Sequence, residues 1–171
     1  MELTDGRVVL RPPEQADLPL VRGAAADPYI PQITSIPSPF TEEAGHEWLA
    51  RQRQKSDDGE WAFVVREAGA DEPVAFTGIG RLRDPSVAQT GYWVLDHARR
   101  RGVATATLRL VLRFAFAELE LHRVQALIEP WNEASVRVAE NCGLRREGLL
   151  RGYYRGRDVF MYAILADDPR P

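Results

Sequence analysis

The run Arg99-Arg100-Arg101-Gly102-Val103-Ala104 sets three guanidinium groups and a glycine where an apolar strand meets a long amphipathic helix. The first amides of a helix have no partner one turn back, and the helix dipole adds partial positive charge there. Glycine lets a ligand approach the main chain closely, and the arginines add full charges. Such a turn suits a phosphate-bearing molecule. Taken alone, the same residues also suit an ordinary helix start with solvated arginines.

The flanking elements must hold that turn in place. Thr90 to Leu95 reads as the strand before it, and a helix runs from about Gly102 to Leu119. On that helix Arg109, Arg113 and Glu120 fall on one side and Leu110, Val111, Phe114 and Ala117 on the other. Upstream, Val8-Val9-Leu10 is a strand stopped by Pro12, and residues 14–26 form a first helix. Residues 27–40 carry four prolines and read as a long connection. Thr41 opens a second helix that ends near Lys55, before Ser56-Asp57-Asp58-Gly59. Strands follow at 61–66 and 74–82. Beyond the long helix come a strand at 123–129, a short helix with Ser135, Val138, Ala139 and Cys142 on one face, and strands at 144–150 and 158–165.

Composition narrows the function. The chain has 171 residues, 44% hydrophobic and 27% charged, and its length suits one domain spanning 1–171. A net charge of −3 argues against a general nucleic-acid or membrane surface. Lys55 is the only lysine, so nearly all positive charge is arginine. Cys142 stands alone, and His46, His97 and His122 lack ligand spacing, so neither a disulfide nor a metal site is expected. No signal peptide or membrane span is apparent, which points to the cytoplasm.

The Arg99-x-x-Gly102-x-Ala104 pattern resembles the pyrophosphate loop of the acetyl-CoA-dependent GNAT N-acetyltransferases. Asn132-Glu133-Ala134-Ser135 and Asn141-Cys142-Gly143-Leu144 resemble the family's next block. Arg7-Val8-Val9-Leu10-Arg11-Pro12, Asp17, Asp27-Pro28 and Asp158-Val159-Phe160-Met161-Tyr162 are similar to the Rim-type subgroup, which acetylates the N-termini of ribosomal proteins. The resemblance covers nearly the whole chain. It implies an α/β (α+β) fold, with a mostly antiparallel twisted sheet of about six to seven strands flanked by helices and splayed between the fourth and fifth strands.

The resemblance also implies roles. The amides of Arg100, Arg101, Gly102, Val103, Ala104 and Thr105 would hold the coenzyme A diphosphate, with Arg99 on the first position of the motif. Backbone near Val94 and Leu95 would bond the pantetheine arm, and an N–H there would face the thioester oxygen. Asn132 would bond the same arm or simply cap its helix. Many relatives place a tyrosine seven residues after this Asn; here the position is Ala139. Ser135 is therefore the expected thiolate partner, with a back-bonded helical serine as the alternative. Glu129 is the first candidate base, ahead of Asp96, Glu60 and His97, and an ordered water can also fill that role. Tyr29, Phe40, Trp48 and Trp131 are either acceptor-pocket walls or core. The acceptor is an amine, with a protein N-terminal α-amine and a small molecule (antibiotic, polyamine or amino acid) both open. A non-catalytic acyl-CoA sensor is the rival outside enzymology, and a homodimer is left open.

Overall fold

The computed structural model describes residues 1–54 and 59–169. The expected end of the second helix near Lys55, with Ser56, Asp57 and Asp58, lies outside the described residues. Eight strands hydrogen-bond in the order β1-β2-β3-β4-β5-β6-β8-β7, a mixed and mostly antiparallel sheet. Contacts divide the chain into two compact units, and β4, β5 and α4 run from one into the other.

The first unit comprises residues 1–78 and 92–107. It begins with β1 (Leu3–Thr4) and β2 (Val8–Arg11), paired antiparallel with Leu3 opposite Leu10. β2 pairs in turn with β3 (Glu60–Glu67), Val8 opposite Glu67 and Arg11 opposite Val64. Pro12 ends β2 because its nitrogen has no proton for the ladder. A 3-10 turn at Gln15–Asp17 then leads into α1 (Leu18–Ala26). Asp17 fixes that corner from a buried position, accepting from Arg11 at 2.7 Å and from the Glu14 amide at 2.7 Å.

The proline-rich connection holds a helical turn, α2 (Ile30–Ile33). Next comes α3 (Glu42–Gln54), whose Thr41 hydroxyl accepts the Ala44 amide at 3.1 Å. That cap, with Glu42 and Glu43 in the first turn, matches the dipole's preference. The unit also takes the first part of β4 (Pro73–Arg81), the last part of β5 (Val87–Val94) and the start of α4 (Val103–Ala117).

Leu20, Val21, Ala24, Leu49, Val64 and Phe76 are among the buried residues of this unit's core. Trp48 lies in that core rather than on a pocket wall, with its ring centroid 4.9 Å from that of Phe76. Its indole N–H donates to the Ser35 hydroxyl at 3.1 Å, so even the polar edge is satisfied. Phe40 packs against the same cluster. Trp48→Ala is therefore expected to cost about 3–5 kcal/mol, read as a lower urea midpoint at unchanged slope.

The second unit comprises residues 79–91 and 108–171. In it β6 (Arg123–Ile128) pairs parallel with the start of β5, so the chain must cross over, and α4 is the crossover. The parallel ladder runs from Val87 opposite Arg123 to Gln89 opposite Gln125. β6 continues past that point, pairing with β8 (Arg157–Leu165) as far as Ile128 opposite Phe160. α4 buries Leu110, Val111 and Phe114 and exposes Arg109 and Arg113, as its sequence predicts, whereas Ala117, expected on the apolar face, ends the helix exposed.

α5 (Glu133–Asn141) precedes β7 (Arg145–Tyr154), which pairs antiparallel with β8. Tyr154 stands opposite Arg157, and Arg155 and Gly156 between them both have positive φ. That is the signature of a two-residue hairpin turn. The unit has an edge rich in charge, with Arg145, Arg146 and Glu147 exposed on β7, a feature that discourages pairing with other chains. β1 and α2 are elements the sequence does not predict. Among the described residues, no helix is long and apolar enough to cross a membrane.

Candidate active site

In the first unit, β5 delivers the chain to the arginine turn. The Leu95 amide donates to the Val74 carbonyl at 2.9 Å, so it faces β4. Successive residues of a strand turn their amides to opposite edges, and Val94 therefore points its N–H the other way. The resemblance expects backbone near Val94 and Leu95 to meet a ligand, with one N–H there facing it. The Leu95 amide is spent on the sheet, and Val94 keeps the suitable direction. The Leu95 side chain lies against α1, where a Cβ added to Gly23 would meet it at 3.2 Å.

A 3-10 turn at Asp96–Ala98 follows. Arg99 then folds back onto the protein. Its Nε donates to the Val94 carbonyl at 3.0 Å, one nitrogen lies 3.3 Å from Asp96, and another is hydrogen-bonded to Asp27. Its guanidinium thus braces the turn through these bonds.

Asp27 is buried, and burial alone would raise its carboxyl pKa. Amide bonds from Ile30 at 3.0 Å and Tyr29 at 2.8 Å, together with Arg99, outweigh burial and hold it below the ordinary aspartate value. A carboxyl with a depressed folded value adds stability above its unfolded value and loses it as pH falls through the folded one. Stability should accordingly decline as pH drops below about 4. Asp27→Asn is expected to be less stable at neutral pH and to show a shallower acid limb. Urea midpoints measured at neutral and acid pH check both.

Beyond Arg99 the backbone takes an unusual path. Arg100 has φ +61° and Gly102 φ +82°, with Arg101 between them. Alternating left-handed residues curl successive amides towards one side, the geometry of an anion-binding concavity. Arg101 is tied to Glu67 at 2.8 Å. The first turn-to-turn bond of α4 runs from the Ala106 amide to the Gly102 carbonyl at 3.0 Å, which puts Val103, Ala104 and Thr105 in the helix's opening turn. Gly102 is exposed, and Ala104 and Thr105 are half-buried.

A cleft of about 870 Å³ opens on the α1 side of the same turn, lined among others by Arg11, Asp17, Asp27, Leu95 and Arg99. Both of its arginines are already paired, Arg11 with Asp17 and Arg99 with Asp27. Asp96 is nearly fully exposed on its rim beside His97.

The second unit carries the remaining expected residues. Asn132 caps α5, its side-chain oxygen accepting the Ser135 amide at 3.1 Å. Ser135 is half-buried in the first turn of the helix. α5 is anchored at its far end, where the buried Tyr162 hydroxyl donates to Glu140 at 3.1 Å. Burial and that bond together push the Tyr162 phenol up. Ala139 is buried, and burial pushes the neighbouring Cys142 thiol up to about 11. A thiol held protonated at neutral pH is a poor acyl carrier.

Glu129 lies just past β6, 5% exposed, in an ion pair with Arg157 at 2.7 Å. Trp131, two residues on, is 61% exposed, unlike the other aromatics named with it. Glu60, at the start of β3, is half-buried in the first unit.

Sequence reasoning missed the partners. Asp27 and Arg99 are separated by 72 positions, and the Asp27-Pro28 pair was the one available signal. Arg157 opposite Glu129 leaves no mark in the local sequence.

Residues 7–145 match the family of acetyltransferase (GNAT) domains. An uncharacterized N-acetyltransferase p20 from Bacillus licheniformis is 25% identical over 168 residues, covering 93% of each chain. A GNAT-family acetyltransferase from Bacillus anthracis, 24% identical, superposes with a TM-score of 0.87 over 98% of this chain and 100% of its own. Mycobacterium smegmatis RimJ, solved in complex with CoA-disulfide, is 28% identical with a TM-score of 0.81, covering 98% of this chain and 87% of its own.

Proposed function

The chain belongs to the GNAT family of acetyltransferases, and from that premise we propose that it moves an acetyl group from acetyl-CoA to the α-amine of a protein N-terminus. GNAT enzymes use acetyl-CoA, and the reaction class requires an amine acceptor. The likeness to RimJ and the Rim-type residues near both ends of the chain support a protein N-terminus as that acceptor.

The observation that carries the proposal is the turn at 99–102. Two left-handed residues curl its amides, two carboxylates brace its arginines, and α4 opens directly behind it. In this reading the amides of Arg100, Arg101, Gly102, Val103, Ala104 and Thr105 hold the diphosphate. Arg99 keeps the loop in shape from behind. Val94 donates its amide towards the thioester end of the coenzyme, and Asn132 donates to the pantetheine arm from its amide nitrogen while its oxygen caps α5.

The acceptor amine, in its neutral form, attacks the thioester carbon directly. Electrons shift onto the carbonyl oxygen, where a main-chain amide stabilises the charge. Collapse of that intermediate breaks the C–S bond, and the thiolate leaves with a proton from the Ser135 hydroxyl, which water restores. Glu129 takes the amine's surplus proton, directly or through water, with Arg157 holding it in place. No acetyl-enzyme forms, in keeping with the inert Cys142.

Release of coenzyme A thiol is the direct assay. Peptides with a free N-terminus should turn over, and the same peptides with a blocked N-terminus should not. Spermidine, aminoglycosides or amino acids as the better acceptors would replace the protein reading with the small-amine one. Coenzyme binding without turnover on any amine would establish the sensor instead.

A further inference from the structure

Four arginines surround the 99–102 turn, and they divide into two kinds. Arg99 and Arg101 are tied to Asp27 and Glu67. Arg7 and Arg100 have no hydrogen-bonding or ionic partner for their side chains among the described residues. Arg7 comes from a different part of the chain, just before β2, yet its guanidinium reaches the turn. A Cβ added to Gly102 would lie 3.6 Å from Arg7 Nη2.

The main chain of Arg7 is held on both sides. Its amide donates to Asp5 at 2.9 Å, and its carbonyl accepts the Ala68 amide at 2.8 Å. Asp5 also accepts the Val8 amide at 3.1 Å, so this carboxylate is occupied by backbone. The result is an anchored backbone that presents an unpaired cation to the open side of the glycine. On the cleft side, by contrast, both arginines are neutralised. Guanidinium is well matched to phosphate oxygens, which it binds through paired N–H groups.

We propose that Arg7 is a coenzyme ligand, its guanidinium pairing with a phosphate of coenzyme A held at the Gly102 turn. This rests on the acetyl-CoA reading above and adds a residue from outside the loop to it. Arg7 thus ties the N-terminal hairpin to coenzyme recognition. It touches no reacting atom, so it should set affinity and leave the chemical step alone.

The test is the Arg7→Gln variant, with Arg7→Lys beside it, titrated with coenzyme A and with 3′-dephospho-coenzyme A. Loss of one charge-assisted contact should weaken coenzyme A binding roughly tenfold. The KM for acetyl-CoA should rise with it, with kcat unchanged and the melting temperature of the ligand-free protein unaltered. Arg7→Lys should recover part of the affinity. If the deficit disappears with the dephospho ligand, the partner is the 3′-phosphate; if it persists, the partner is the diphosphate. A variant that binds coenzyme A as the wild type does would overturn the inference and leave the acetyl-CoA reading standing. So would one that loses affinity only in step with its ligand-free melting temperature. A wild-type protein that ignores coenzyme A would end both.

Discussion

Gly102→Glu is expected to abolish coenzyme binding, weakening it at least a hundredfold, about 2.7 kcal/mol. Two effects combine at this position. Gly102 has φ +82°, a conformation that costs an L-residue roughly 1–2 kcal/mol, so the turn relaxes away from the curled shape. The introduced carboxylate also brings negative charge to the place proposed for a diphosphate. It would meet Arg7, whose Nη2 lies 3.6 Å from the new Cβ, and engage the unpaired cation there. Space is not the obstacle, since that contact is of ordinary length, and the chain should still fold. Gly102→Ala separates the two effects by keeping the strain without the charge. It should cost no more than about 1–2 kcal/mol of stability and a correspondingly smaller loss of affinity. Titration calorimetry with coenzyme A reads both variants. Binding by Gly102→Glu within a few-fold of the wild type would mean that no anion sits at this turn.

Ser135→Ala should lower kcat about a hundredfold, the lower end of what general acid catalysis contributes, and leave the KM for acetyl-CoA nearly unchanged. The separation follows from where the serine sits. Its main-chain amide makes a bond to the Asn132 side chain that caps α5. Alanine retains that bond and is a better helix former. The far end of the helix stays pinned by Tyr162 on Glu140. A proton donor to the departing thiolate acts late in the reaction, so its loss shows in turnover. Equal losses in turnover and coenzyme affinity would instead mark a binding role, and no loss at all would leave Ser135 a plain helical residue.

The legible parts of this protein are the ones whose causes are local. The arginine turn could be read because a glycine requirement, a charge cluster and an amphipathic helix coincide within a few positions. α4 announced itself by its two-sided pattern. β1 has two residues and no periodicity to detect. α2 hides in a proline-rich stretch whose composition signals a loop, although Pro31 near a helix start is compatible with one turn.

The candidate site was harder to read because its geometry comes from distant pairs. Arg99 carries the motif yet its side chain serves Asp27, and only tertiary structure reveals that commitment. Leu95 and Val94 look equivalent in sequence, but the pairing of β4 with β5 assigns their amides to opposite edges. Nothing near Glu129 in the sequence points to Arg157, its ion-pair partner 28 positions on. Trp48 and Trp131 are the same residue type with opposite fates, one in the core and one in solvent. Burial of that kind depends on what folds over a residue, which its neighbours in sequence do not disclose.

Thermal unfolding of the wild type with and without coenzyme A tests the central claim most directly. At one hundred times its dissociation constant, a ligand of the folded state adds about 2.7 kcal/mol of stability. The melting temperature should rise by several degrees with coenzyme A and stay put with ATP or NAD. No response to coenzyme A, or an equal response to all three, would contradict the account.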